Sequence, residues 1–271
     1  MRPSNTEAEL TLPRRSPTTA SVATVALVNV GVRFEIPLER ILSFKEYVLR
    51  RLKSSVEKRA LWALDGVSLE VHPGEVVGII GRNGAGKSTL LKVLSRVLVP
   101  TTGRVVLRGR IAPLLGLGAG FHFDLTGREN VYLNAALLGH SRREVSQHLD
   151  DVVCFAELED FIDVPIRNYS SGMLARLGFG VATLFRPDLL LVDEVLAVGD
   201  AAFREKCLDR IGQFRSHGTT IVLVSHSESE IEQHCDRAFW LDHGRIAAAG
   251  TPPTVVAAYR DARARGVRNG A

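Results

Sequence analysis

The chain has 271 residues, 45% of them hydrophobic and 24% charged, which fits a globular protein with length enough for a packed core. Its formal charge of +4, from 34 Lys and Arg against 30 Asp and Glu, is too small to argue for nucleic acid by itself. Cys154, Cys207 and Cys235 are far apart and form no CxxC pair, so they suggest neither zinc nor a disulfide framework and fit reduced thiols.

No apolar run approaches the ~18–20 residues that a membrane helix needs. Residues 1–22 are rich in Ser, Thr and Pro without periodicity and read as a disordered tail. Arg14-Arg15 ahead of the run from Ala20 to Val32 faintly resembles a twin-arginine export signal. Asn29 and Gly31 interrupt that run, however, and its β-branched residues fit a strand over 25–34.

From Glu39 to Arg59, the residues Ile41, Phe44, Val48, Leu52 and Val56 recur at three- and four-residue intervals, which predicts an amphipathic helix. Its seven basic residues against Glu39, Glu46 and Glu57 give this segment +4, equal to the charge of the whole chain. From Asp65, short apolar strands alternate with helical segments. Strands are expected at 66–71, 76–80, 104–112, 189–193, 220–225, 237–242 and 245–248. Helices are expected from Lys87, through most of 124–186, near 203–216, from Glu228, and last in a helix ending near Arg263. This alternation predicts an α/β core with a largely parallel sheet, an inserted helical subdomain over 124–186, and a basic tail over 261–271.

Val76 to Ile80 is a buried-strand pattern that runs into Gly81-Arg82-Asn83-Gly84-Ala85-Gly86-Lys87-Ser88-Thr89, and an apolar-periodic helix follows. A GxxxxGKS loop between strand and helix is a phosphate cradle. Its glycines let backbone N–H groups turn inward, and the helix N-terminus adds partial positive charge. Lys87 would reach the β- and γ-phosphates, and Ser88 would ligate Mg²⁺. A second buried strand, Leu189 to Val192, ends in Asp193-Glu194. Asp193 fits the metal and Glu194 fits the residue that polarises an attacking water.

Tyr169-Ser170-Ser171-Gly172-Met173 opens an apparent helix and resembles the signature of the ABC ATPases, with Arg176 as its trailing arginine. Asp200 matches that family's D-loop, and Ser225-His226 after Val222-Leu223-Val224 matches its switch histidine. The resemblance covers about residues 25–260. It implies the P-loop NTPase fold of an ABC ATPase domain, with a RecA-like core, an antiparallel β-subdomain and an inserted α-helical subdomain. It also implies ATP and Mg²⁺ as ligands, a head-to-tail homodimer and an integral-membrane permease partner, with the chain peripheral on the cytoplasmic face of the membrane. In that dimer residues Tyr169 to Met173 and Asp200 would serve the partner's nucleotide, and His226 would contact the γ-phosphate. An aromatic residue would stack on adenine, Phe34 by first choice and Trp62 as the alternative.

The chain departs from the general family pattern in two places. The loop after the 104–112 strands, Leu115 to Phe121, has no Gln, and the signature has Ser171 for Gly and Met173 for Gln. The same departures resemble one branch, the ATPases that export lipid-linked polysaccharides such as O-antigen, teichoic acid, capsule or galactan. LGAGF, LTGRENVYLN, YSSGM and VDEVLAVGDAAFREKCLDRI carry that likeness, as does a gate-like helix in the position of 39–59. That helix could lie at an anionic membrane surface and receive a charged headgroup, or it could be a packed surface helix. No C-terminal carbohydrate-binding domain is expected. The rival readings are a transporter of another cargo and a non-transport ABC ATPase. The basic stretch lacks the aromatic series that nucleic-acid binding would need, so no nucleic-acid partner is expected.

Overall fold

The computed structural model describes residues 22–37, 58–118, 120–193 and 200–268. The tail expected over 1–22 (apart from Val22), residues 39–57 of the expected helix, and Glu194 lie outside them. Arg59, expected as that helix's end, stands instead in a strand.

Two sheets form the core. The smaller is antiparallel, in the order β2-β1-β4, built from β1 (Val25–Pro37), β2 (Lys58–Val71) and β4 (Thr102–Leu107). The larger runs β5-β6-β7-β3-β8-β9, from β3 (Val76–Ile80), β5 (Ile111–Leu114), β6 (Leu189–Val192), β7 (Thr220–Val224), β8 (Arg237–Asp242) and β9 (Arg245–Gly250). Every pairing in it is parallel except β8 with β9.

The continuous apolar runs of β3 and β6 follow from burial on both faces. Successive side chains point to opposite sides of a strand. Val77 and Ile79 therefore join the core beneath the antiparallel sheet, with Leu189, Leu191, Val222 and Val224. Val76, Ile80, Leu190, Val192 and Ile221 join a second core on the other face.

The helices are α1 (Lys87–Leu94), α2 (Gly127–Leu137), α3 (Arg142–Ala156), α4 (Ser171–Ala182), α5 (Ala201–Ser216), α6 (Glu228–His234) and α7 (Pro252–Arg268). α6 lies against Gly78 of β3, where an added Cβ would stand 2.7 Å from Ile231 and 2.8 Å from the Cys235 sulfur. α2, α3 and α4 share a third core of their own, with Val131, Leu149, Ile166 and Leu177 at its centre. These three helices form the expected helical subdomain.

The C-terminal end differs from expectation. α7 continues to Arg268, so residues 261–268 are helix and not tail. Its start is anchored in the second core by Val255, Val256 and Tyr259. Arg260 and Arg263 both reach Glu228 of α6, at 2.8 and 3.2 Å. Among the described residues no helix is long and apolar enough to cross a membrane.

Candidate nucleotide site

The C-terminal ends of β3, β6 and β7 lie side by side, with β7 between the other two. Ligands of open α/β sheets bind outside such strand ends. β3 leads at once into the loop Gly81–Gly86, and α1 begins at Lys87.

Backbone from two other strands presses on this loop. An added Cβ at Gly81 would stand 2.3 Å from the Leu241 carbonyl oxygen, and one at Gly86 would stand 2.5 Å from that of Ala63. Gly86 is also the N-cap of α1, with φ 107, and Gly84 has φ 81. Side chains are strained there. The loop's outer edge is tied to the β8–β9 turn, because Gly244 N donates to Ala85 O at 2.9 Å and Asp65 N donates to Gly244 O at 2.8 Å. Arg245 clamps the same corner through Asp65, at 3.0 Å from Nε. The turn residues at 243–244 and the Asp65–Arg245 pair were not among the residues that the sequence singled out.

Lys87 is only 8% exposed. Its ammonium arches back over the loop and donates to Gly81 O at 2.8 Å and to Arg82 O at 3.2 Å. A buried cation and a helix N-terminus meet at this glycine-rich loop. Such a place suits a chain of phosphates.

A cleft of about 480 Å³ opens over the loop. Its walls include Asn83, Gly84, Gly86, Lys87, Ser88 and Thr89, with Asp193 from the end of β6. Gly81 and Ala85 are buried beneath, and Arg82 is exposed. The Ser88 hydroxyl and the Asp193 carboxylate thus share one cleft. Both are hard oxygen donors of the kind that Mg²⁺ takes beside substrate phosphates. Leu61, Trp62 and Ala63 of β2 complete the wall.

Trp62, not Phe34, is therefore the aromatic residue at the cleft, which reverses the first choice made from sequence. Phe34 lies on β1 opposite Leu61. The Trp62 ring crosses Gly31, where an added Cβ would meet it at 2.9 Å. Arg33 stands over the same ring at 5.9 Å.

His226 is exposed just past β7 and is not among the cleft's walls. The turn that carries it is held by Ser225, whose Oγ donates to Glu230 at 2.7 Å and accepts from Ser227 N at 2.9 Å.

The signature residues lie in the helical subdomain. Ser170 is the N-cap of α4 and accepts from Met173 N at 3.2 Å. Ser170 and Ser171 are exposed, and an added Cβ at Gly172 would meet only the Ser170 hydroxyl, at 3.7 Å. This helix start is open to a ligand. Two neighbours differ from expectation. Tyr169 is buried, its hydroxyl donates to Phe161 O at 2.6 Å, and burial pushes its pKa up. Met173 packs on the same core. Both side chains serve packing, because the chain entering α4 needs apolar anchors on its inner side.

Asp200 is the N-cap of α5, accepting from Phe203 N at 2.9 Å, and pairs with Arg176 at 2.5 Å. The backbone bond from Phe203 and the nearby guanidinium hold its carboxyl below the usual range.

The glycine-rich loop that lacks Gln packs directly on the signature helix. An added Cβ at Gly178 would stand 2.8 Å from Gly118 N. After the loop, Asn130 is fully buried. It donates to the carbonyls of His122, Leu125 and Thr126 and accepts from His122 N. Residues 123–128 are zipped to 162–167 by four backbone bonds and by the Arg128–Asp163 pair at 2.7 Å. This zipper ends two residues before the signature. The sequence reading missed Asn130 and Gly178, although the Thr126-x-x-Glu129 capping box and the mid-helix glycines pointed to them.

The profile of the ABC transporter family matches residues 64–197. The O-antigen export system ATP-binding protein RfbB of Klebsiella pneumoniae is 49% identical over 215 residues, 79% of this chain and 87% of the relative. RfbB of Myxococcus xanthus is 48% identical over 223 residues, 81% of this chain and 51% of the relative. The teichoic acids export ATP-binding protein TagH of Levilactobacillus brevis is 46% identical over 200 residues, 74% and 55% respectively. Among solved structures, an ATP-binding subunit of an ABC transporter has a TM-score of 0.65 at 23% identity, covering 92% of this chain and 95% of that one. A dimeric bacterial ABC transporter cassette has 0.66 at 22%, covering 84% and 98%. These two likenesses speak for the fold. Taken with the relatives, they lead to one conclusion: the chain belongs to the ABC transporter family and is one of its ATP-hydrolysing subunits.

Proposed function

We propose that this chain drives export of a lipid-linked polysaccharide, working as a homodimer with an integral-membrane permease at the cytoplasmic face of the membrane. The observation that carries the reading is the identity of 46–49% to proteins named for O-antigen and teichoic acid export. Two parts of the chain fit it: the glycine-rich loop without Gln, and the basic segment 39–57, which would meet an anionic headgroup at the membrane surface.

In this proposal the loop N–H groups from Asn83 to Ser88 wrap the phosphates of ATP, and Lys87 neutralises charge on the β- and γ-phosphates. Ser88 and Asp193 would hold Mg²⁺, which when bound neutralises phosphate charge. Adenine stacks on Trp62. Glu194 polarises the attacking water, and His226 keeps water and γ-phosphate in line. Ser170, Ser171 and Gly172 at the start of α4 face the γ-phosphate on the partner protomer, an anion site at a helix N-terminus supplied in trans.

The permease would dock on the helical subdomain near the glycine-rich loop, where Phe123, Leu133 and Leu137 are 58%, 37% and 69% exposed. Dimer closure on ATP would then drag the permease through this loop and the zipper beside it.

The test is to deplete the protein in its native host and profile lipid-linked glycans by mass spectrometry. Build-up of one polyprenyl-linked polymer on the cytoplasmic side is expected, and it would name the cargo. An unchanged profile beside an active ATPase would sink the polysaccharide assignment.

A further inference from the structure

We propose that Glu157 is a positioning residue for ATP hydrolysis: it holds Arg176 of the signature helix on Asp200, and so fixes the start of α5 against the helical subdomain. The proposal rests on the reading of the cleft over Gly81–Gly86 as the ATP site.

Glu157 is the C-cap of α3 and adopts φ 57, ψ 50. This left-handed conformation favours Gly or Asn, and helices commonly end on one of them. A strained residue with a long charged side chain persists where something holds it. Here the carboxylate is held from two sides. One oxygen accepts a short hydrogen bond from Arg176 Nη1. The other accepts from Lys206 Nζ of α5 at 3.2 Å.

Arg176 divides its fork between two acids. While Nη1 goes to Glu157, Nη2 reaches Asp200 at 2.5 Å. Its guanidinium lies over the Phe203 ring at 4.9 Å, and its side chain is only 19% exposed. Lys206 has a second acceptor in Phe155 O, at 2.9 Å. The ion chain Lys206–Glu157–Arg176–Asp200 therefore leaves α5, passes through the end of α3 and through α4, and returns to the N-cap of α5. Hydrogen bonds from Lys206 and Arg176 hold the Glu157 carboxyl below the usual carboxylate range, so the chain stays charged at neutral pH.

Asp200 closes the stretch of chain that leaves Asp193 at the end of β6. The family resemblance puts Asp200 beside the partner's nucleotide, so holding it on Arg176 sets where that acid sits when α4 moves. Without Glu157, Arg176 keeps one acid and regains rotamer freedom, and Lys206 keeps a carbonyl. Alignment is lost, while burial is hardly changed.

This asymmetry makes the proposal testable in the full-length chain. Glu157→Gly removes the carboxylate and relieves the positive φ. We expect the melting temperature to hold or rise, kcat for ATP to fall about tenfold, and KM to change less than about twofold. Asp200→Asn keeps the N-cap acceptor and drops the ion pair, and it should lower kcat by a similar factor. The double variant should be no slower than either single one, because both break one chain. Glu157→Gln, which keeps an acceptor without charge, should fall in between.

A wild-type kcat in Glu157→Gly, a parallel loss of melting temperature, or effects that multiply in the double variant would each overturn the proposal. Lys87→Ala is the control. If it still turns over, the cleft reading falls and this proposal falls with it. A dead control beside a fully active Glu157→Gly overturns the proposal alone.

Discussion

The nucleotide loop and the helical subdomain are held in place by different means. At Gly81 and Gly86 the neighbours are backbone carbonyls at 2.3 and 2.5 Å from where a Cβ would be. No rotamer change can relieve those contacts, so the loop has one shape. The helical subdomain packs on an apolar core of its own, and its loops are joined by caps, zippers and ion pairs whose side chains are mostly exposed, such as Arg128–Asp163 at 40% and 68%. Exposed pairs of this kind contribute little each. The loop is built to keep its shape around a ligand, and the subdomain is held together as a unit by its own core.

Glycine substitutions break this comparison most directly. In Gly86→Ala the left-handed φ and the Ala63 carbonyl act together, and about 2–4 kcal/mol of stability is expected to be lost. ATP affinity should fall at least ~100-fold, read by titration with a fluorescent nucleotide. Gly178→Ala also meets backbone, at Gly118 N, but gains up to ~1 kcal/mol of helix propensity. Its net cost should be about 1 kcal/mol, with ATP affinity kept. If Gly178→Ala loses ATP binding as Gly86→Ala does, the two regions are not mechanically separate.

Asn130 is the exception inside the subdomain, a buried polar hub where a surface cap would otherwise serve. Asn130→Ala strands the N–H of His122 and removes the side-chain bonds to the carbonyls of His122, Leu125 and Thr126, which keep only their backbone donors. Urea unfolding should show a loss of about 3 kcal/mol. Thr126→Ala, which removes only the exposed half of the same turn, should lose about 1 kcal/mol.

Trp62 sharpens the comparison from the other side. It lines the cleft, yet it stands on a strand of the antiparallel sheet. Trp62→Ala should weaken ATP binding about tenfold through lost stacking, while Phe34→Ala stays within about twofold. Equal losses in the two variants would return the adenine contact to β1.

These two aromatic residues also mark the limit of what the sequence could tell. The phosphate loop was legible because its glycines, lysine and flanking strand lie within one short run, and local geometry decides their roles. The parallel sheet was legible from the apolar runs of β3 and β6. Phe34 was ranked above Trp62, yet Trp62 lines the cleft, because the choice depends on the register of β1 against β2, which shifts between Leu27 and Arg33. The end of α7 was misjudged for a similar reason. Arg260 and Arg263, near the expected end, pair with Glu228, some thirty positions back in the chain. That the side chains of Tyr169 and Met173 turn to the subdomain core was not legible, because a motif gives positions along a helix and not the face that each side chain takes.

The smallest expected effect concerns pH, and two histidines can produce it, one in the helical subdomain and one on the helix behind β3. His140, in the turn between α2 and α3, stacks on Phe185 at 4.1 Å. Burial, then the nearby Arg110, push its pKa below the ordinary value of 6.5, with Glu144 opposing. His234, at the end of α6, is pushed down as well by burial, with Glu230 opposing and Arg215 assisting. In both cases the folded chain prefers the neutral ring. Their contribution is therefore complete above the unfolded pKa. It declines as pH falls below about 6.5, where the unfolded chain takes up a proton and the folded one does not. The melting temperature should drop between about pH 7.5 and pH 5.5. His140→Phe keeps the stacking and removes the titration, so it should reduce that drop without abolishing it, and His234→Phe should remove a further part. If His140→Phe leaves the pH profile unchanged while His234→Phe flattens it, acid weakens the core before the subdomain, and the softer of the two regions is not the one that its exposed ion pairs suggest.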